Sequence, residues 1–161
     1  MNRRNLLLAV SALALAACAS TPPAPTTIAE TAQRTPELST LTRAIGAAEL
    51  QATLAGPGPF TVFAPSDAAF AKLPKDRLDA LLANKDQLRA VLTYHVVPGK
   101  VMAADVKNSR VKTVNGAEVN LSKSGDLVGF EDALVIKANV DATNGVIHII
   151  DTVMLPPAPR R

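Results

Sequence analysis

The apolar period changes halfway along this chain, and that change limits the possible folds more than any other feature. In the first half, Leu38, Leu41, Ile45 and Ala48 recur at helical spacing. Leu88, Val91 and Leu92 share one helical face. Thr35-Pro36-Glu37 has the order of a helix start: a capping residue, a proline at the first helical position and an acidic first turn. Further short helices are expected over residues 50–54, 76–82 and 87–93, and Phe60-Thr61-Val62-Phe63-Ala64 is strand-like. From residue 110 the period drops to two. Arg110-Val111-Lys112-Thr113-Val114 alternates, Asn115-Gly116 marks a tight turn, and Ala117-Glu118-Val119-Asn120-Leu121 alternates again. Residues 126–130 and 133–140 read as strands, and Asn144-Gly145 as a second turn. Val146-Ile147-His148-Ile149-Ile150 is apolar on both faces except at His148, as a central strand would be. Helices first and an antiparallel meander afterwards make an α+β domain.

The ends carry a different message. Arg3 and Arg4 precede a short apolar run over residues 6–17, about 18 Å long as a helix. A bilayer core is about 30 Å thick, so residues 1–17 read as a secretory signal rather than a membrane span. The run ends in Leu15-Ala16-Ala17-Cys18, which resembles the bacterial lipobox, whose cysteine receives lipid. An ordinary signal peptide with an incidental cysteine is the alternative. Cys18 is the only cysteine, so no intramolecular disulfide can form. Ala19 follows it, as in lipoproteins sent on to the outer membrane. The expected location is therefore the bacterial cell envelope, with the membrane as a partner through lipid on Cys18.

Residues 18–34 are rich in Pro, Thr and Ala and include Pro22-Pro23-Ala24-Pro25; they read as an extended linker. Residues 35–156 form one domain, and residues 157–161 are a tail. The formal net charge is +3, of which Arg3 and Arg4 supply two, and there is no Trp and one Tyr. A basic surface interleaved with aromatics is missing, which argues against nucleic acid as a partner.

Three stretches then line up. GPFTVFAPSDAAF (58–70), YHVVPG (94–99) and NGVIHIIDTVMLP (144–156) resemble, in order and spacing, the signatures of the fasciclin, or FAS1, domain family. The resemblance covers roughly residues 35–156. It implies a wedge of antiparallel β-strands flanked by several short helices. It also implies an extracellular or surface-anchored protein that acts in adhesion. The expected function is a non-enzymatic interaction module that contacts a protein or polysaccharide of the envelope or its surroundings. A periplasm-facing lipoprotein that binds a small ligand or assists a complex is the alternative.

The polar residues at element boundaries decide between scaffold and chemistry. Ser66 follows Pro65 and is placed to cap a helix, and Asp67 would lie in that helix's first turn, where its charge suits the dipole. No Gly-x-Ser-x-Gly elbow surrounds Ser66, so a nucleophile is not expected. Tyr94 and His95 leave a helix and enter a strand. They are either packed, with both polar tips tied to partners, or a recognition motif, since in animal relatives this region is associated with integrin binding. His148 is expected to be a satisfied core residue. Two histidines with no cysteine in the domain and no His-Glu cluster give no metal site, and no glycine loop cradles a phosphate, so no cofactor is expected. An Asp-Ile pair linked to integrin binding in some animal relatives is Asn139-Val140 here. An amide cannot supply the charge that an integrin-bound cation attracts, so an integrin partner is not expected.

Overall fold

In the computed structural model, which describes residues 26–156, six helices and seven strands follow one another. The helices are α1 (Ile28–Arg34), α2 (Ser39–Ala47), α3 (Gln51–Leu54), α4 (Asp67–Ala71), α5 (Lys75–Ala83) and α6 (Lys85–Tyr94). The strands are β1 (Phe60–Pro65), β2 (Val96–Pro98), β3 (Ser109–Lys112), β4 (Glu118–Ser124), β5 (Leu127–Phe130), β6 (Ala133–Ala142) and β7 (Gly145–Ile150). Cys18, the residues before it and the tail 157–161 lie outside the described residues.

The strands form one sheet in the order β2-β1-β7-β6-β5-β4-β3. Neighbours pair antiparallel except β1 and β7, which run parallel from Phe60 opposite Gly145 to Pro65 opposite Ile150. Parallel neighbours need a long crossover, and here everything between β1 and β7 supplies it. The sheet curls until the turn after β3 meets β2, where the Val114 N–H donates to the Val96 carbonyl at 2.8 Å. The wedge is thus nearly closed.

Because strand side chains alternate, the two faces of the central strands feed two cores. Val62, Ala64, Ile147 and Ile149 point to one face, where they meet Leu38, Leu41, Ile45, Leu88 and Leu92 from the helices. Phe63 and Ile150 point into the curl, with Tyr94, Val97, Val119, Leu121, Val128 and Phe130. All six residues of β7 are buried, which follows from its place between β1 and β6.

Two expectations about the start of the domain need correction. The linker was expected to extend through residue 34, but residues 28–34 are the helix α1. Thr27 Oγ1 accepts from the Glu30 N–H, and the Glu30 carboxylate accepts from the Thr27 N–H at 3.1 Å, a reciprocal capping box. Ile28, Ala29 and Ala32 are buried against the helical core, and Ile28 alone contributes about 1.5–3 kcal/mol of burial. The prolines end at Pro25, so the composition of the whole stretch hid a capping signal in its second half. Thr35 was expected to cap a helix. It does hold an N-cap position ahead of Pro36 and Glu37, but of a 3-10 turn, Pro36–Leu38, before α2, and its hydroxyl donates to the Thr31 carbonyl at 2.8 Å instead of capping.

Candidate functional site

The junction of β1 and α4 holds Ser66 and Asp67. Ser66 has extended dihedrals, and its Oγ accepts from the Ala69 N–H at 3.2 Å. That hydroxyl therefore serves as a helix cap, and no histidine hydrogen-bonds it among the described residues. Asp67 reaches further than its own helix. Its carboxylate accepts from the Ser39 hydroxyl at 2.6 Å and from the Thr40 N–H at 2.7 Å, capping α2, whose own N-cap residue, Leu38, has no side-chain acceptor. Burial works to raise the Asp67 pKa, but the hydrogen bonds from Ser39 and Thr40 together outweigh it and hold the carboxyl below its usual range.

Both histidines are inside. His95 is 1% exposed and His148 is fully buried. The partners fix their tautomers. His95 Nδ1 lies 2.7 Å from the Val91 carbonyl and must donate, while Nε2 accepts from the Met154 N–H at 3.1 Å. His148 is the reverse: Nε2 donates to the Val101 carbonyl at 2.8 Å and Nδ1 accepts from the Asn139 N–H at 3.2 Å. Each imidazole is a neutral clamp between two backbone segments. Burial pushes the His95 pKa down to about 4 against the opposing pull of the Val91 carbonyl. Burial also lowers that of His148, opposed by the Val101 carbonyl. All four ring nitrogens are occupied, so neither histidine presents a lone pair to a metal or substrate.

Tyr94 is 5% exposed and packs edge-on to Phe130, whose ring stacks on Phe63 with centroids 4.2 Å apart. One part of the packed reading fails here: the Tyr94 hydroxyl forms no hydrogen bond among the described residues. Burial raises its pKa, with the nearby Glu131 charge adding to the effect. The Tyr-His pair thus offers little surface to a partner.

Asn139 and Val140 sit in an irregular part of β6, where the register with β7 shifts between Lys137 and Val140. Asn139 has φ of 57°, a left-handed conformation that asparagine tolerates well. Its side-chain oxygen accepts from the Ala103 N–H at 2.9 Å. Together with its N–H on His148, this ties β6 to the loop after β2. Val140 packs against the helical core. The neighbouring Asp141 pairs with Lys100 at 3.2 Å.

Two open grooves lie at opposite ends of β1 and β7. Beyond their C-terminal ends is a shallow groove of about 380 Å³, lined by Glu37, Ser66, Asp67, Ala68, Ile136 and Lys137. Ile136 is 59% exposed and the adjacent Leu134 45%, and Lys137 Nζ stands 4.0 Å from the Glu37 carboxylate. Next to it, Asp151 accepts from the Leu134 N–H at 2.9 Å and from Lys72 at 3.1 Å. Beyond the N-terminal ends is a second groove of about 400 Å³, formed by Pro57, Gly58, Pro59, Lys100 and residues 142–145. Asn144 knots this end together. Its side-chain oxygen accepts from the Ile28 N–H at 2.9 Å, and its amide donates to the Leu54 carbonyl at 2.7 Å and the Gly56 carbonyl at 3.0 Å.

The model of the Fasciclin domain family matches residues 36–156. The chain belongs to the fasciclin domain family. Among its relatives, Protein sll1483 of Synechocystis is 48% identical over 133 residues, covering 81% of this chain and 74% of the relative. The cell surface glycolipoprotein MPB83 of Mycobacterium bovis is 35% identical over 136 residues, and the match spans 81% of this chain and 61% of that protein. The fold resembles the FAS1 domain pair from the insect cell adhesion molecule Fasciclin I, with a TM-score of 0.68 at 19% identity. That match covers 81% of this chain and 51% of the insect one. Fasciclin proteins of this kind are commonly surface or adhesion-related.

Sequence reasoning placed Ser66 and Asp67 at one junction and His148 in the core, and left His95 between packing and recognition. It missed the reach of Asp67 to α2, the knot at Asn144 and the groove at Ile136. Only Asn144 carried a signal, and it was read as a turn residue.

Proposed function

We propose that this chain is a non-enzymatic interaction module of the bacterial envelope, anchored by lipid on Cys18, which contacts a protein surface through the groove at Ile136. The observation that carries this reading is the division of labour among the polar groups. Ser66, Asp67, His95 and His148 are all committed to backbone partners, whereas Ile136, Lys137 and Glu37 stand open on one groove with Leu134 exposed beside it. A groove with exposed aliphatic side chains beside charges of both signs suits a protein partner. Polysaccharide is the poorer fit, because sugar rings stack on exposed aromatic faces. Phe63, Phe70, Phe130 and Tyr94 are buried and Phe60 is partly so. The mycobacterial relative is a cell surface glycolipoprotein, which supports an acylated, surface-directed protein.

Mass spectrometry of the membrane fraction is expected to find acyl chains on Cys18. A pull-down from envelope extracts with residues 26–161 is expected to recover a protein that an Ile136→Asp variant of equal melting temperature does not. Equal capture by both variants would remove the groove from the reading. An unacylated, freely soluble native protein would remove the anchor.

A further inference from the structure

The clamp on the N-terminal strap fixes how far the domain can stray from a lipid on Cys18. The Thr26 carbonyl accepts from the Thr143 N–H at 2.9 Å, and Ile28 is held by Asn144. Ile28 also packs over Gly145, where an added Cβ would stand 2.8 Å from its Cδ1. The chain is therefore part of the domain from Thr26 onward. From Cys18 to Thr26 there are eight Cα steps, which span at most about 28 Å. An extended linker through residue 34 would have reached about twice as far.

The attachment point is also polar with respect to the fold. Phe60 and Gly145 begin β1 and β7 at the end where Thr26 is tied down, and Pro65 and Ile150 finish them at the end that carries the Ile136 groove. Six residues of strand separate the two ends by roughly 17–20 Å. To bring the groove to the lipid, the tether would have to run nearly taut past that length and the loops that cap it.

We infer that the anchored protein stands on the end formed by Thr26, Pro57–Pro59 and Thr143–Gly145, with this surface facing the bilayer and the Ile136 groove turned away. This rests on the acylation of Cys18 proposed above. The Pro57–Pro59 and Thr143–Gly145 surface is the membrane-proximal face, and it fits that place. Lys100, which lines its groove, is paired with Asp141, so among the described residues the groove meets headgroups without a strong charge of either sign.

The test uses the full acylated chain in phosphatidylcholine vesicles that carry an energy-transfer acceptor on a fraction of the headgroups. A donor is attached to Thr143→Cys or, separately, to the exposed Ala68→Cys at the groove; the acylated Cys18 has no free thiol to compete. Transfer is expected to be at least twofold more efficient from position 143 than from position 68. Ten Gly/Ser residues inserted between Pro25 and Thr26 are expected to narrow that difference. Protein that floats with the vesicles but transfers equally from both positions, or better from position 68, overturns the orientation and leaves the anchor intact. Protein that fails to float, as a Cys18→Ala control should, overturns both.

Discussion

His95 shows what a single buried side chain does in this molecule. It joins the end of α6 to the segment after β7, and it can do so only while neutral, because a protonated ring has no acceptor for the Met154 N–H. Burial lowers its pKa to about 4 in the fold, from the ordinary imidazole value of about 6.5. Above pH 6.5 both states are neutral and the clamp contributes fully. As pH falls from about 6.5 to 4, the unfolded chain takes up the proton first and stability is lost, by about 3 kcal/mol from this group. The lowered pKa of His148 acts with the same sign. Urea midpoints are thus expected to fall between pH 7 and pH 4.5, and a His95→Gln variant is expected to show a shallower fall. A wild-type midpoint flat over this range would contradict the neutral-clamp assignment. Asp67 makes a smaller and separable contribution. Asp67→Ala is expected to cost about 1 kcal/mol by uncapping α2, and Ser66→Ala about as much by uncapping α4, both read as melting shifts at pH 7.

Between elements, the knot at Asn144 matters more than any cap. One side chain holds the start of α1, the end of α3 and the loop before β1. Its own carbonyl accepts from the Phe60 N–H at 3.0 Å. Asn144→Ala is expected to cost about 2–3 kcal/mol, since three partly buried hydrogen bonds go at once. Gly145 next to it has no room for a side chain: an added Cβ would lie 1.9 Å from the Phe60 carbonyl oxygen. Gly145→Ala is expected to cost about 3 kcal/mol or more, checked by urea unfolding. The elements themselves were largely legible. Period three to four gave α2 and α6, period two gave β4, and the doubly apolar run gave β7 its central place. What could not be read was long-range partnership. Asp67 to Thr40, Asn144 to Ile28 and His148 to Val101 join residues far apart in the chain, and neither propensity nor spacing encodes such distances. The groove was hidden for the same reason, since Glu37, Ala68 and Ile136 become neighbours only through the sheet order. The turn sequence at Asn144-Gly145 was legible as a turn, but it concealed a hub.

For the whole molecule, α1 belongs to the domain although the family match begins at Pro36. Deleting residues 26–34 is expected to lower the melting temperature by more than 10 °C, because Ile28, Ala29 and Ala32 leave the core together. An unchanged melting temperature would return that stretch to the linker. The parallel pairing of β1 with β7 has a consequence for biosynthesis. The first strand of the sheet has no inner neighbour until the last one is made. The sheet cannot close until residue 150 has emerged from the ribosome, so whatever must handle the domain unfolded can act while every earlier strand is being made.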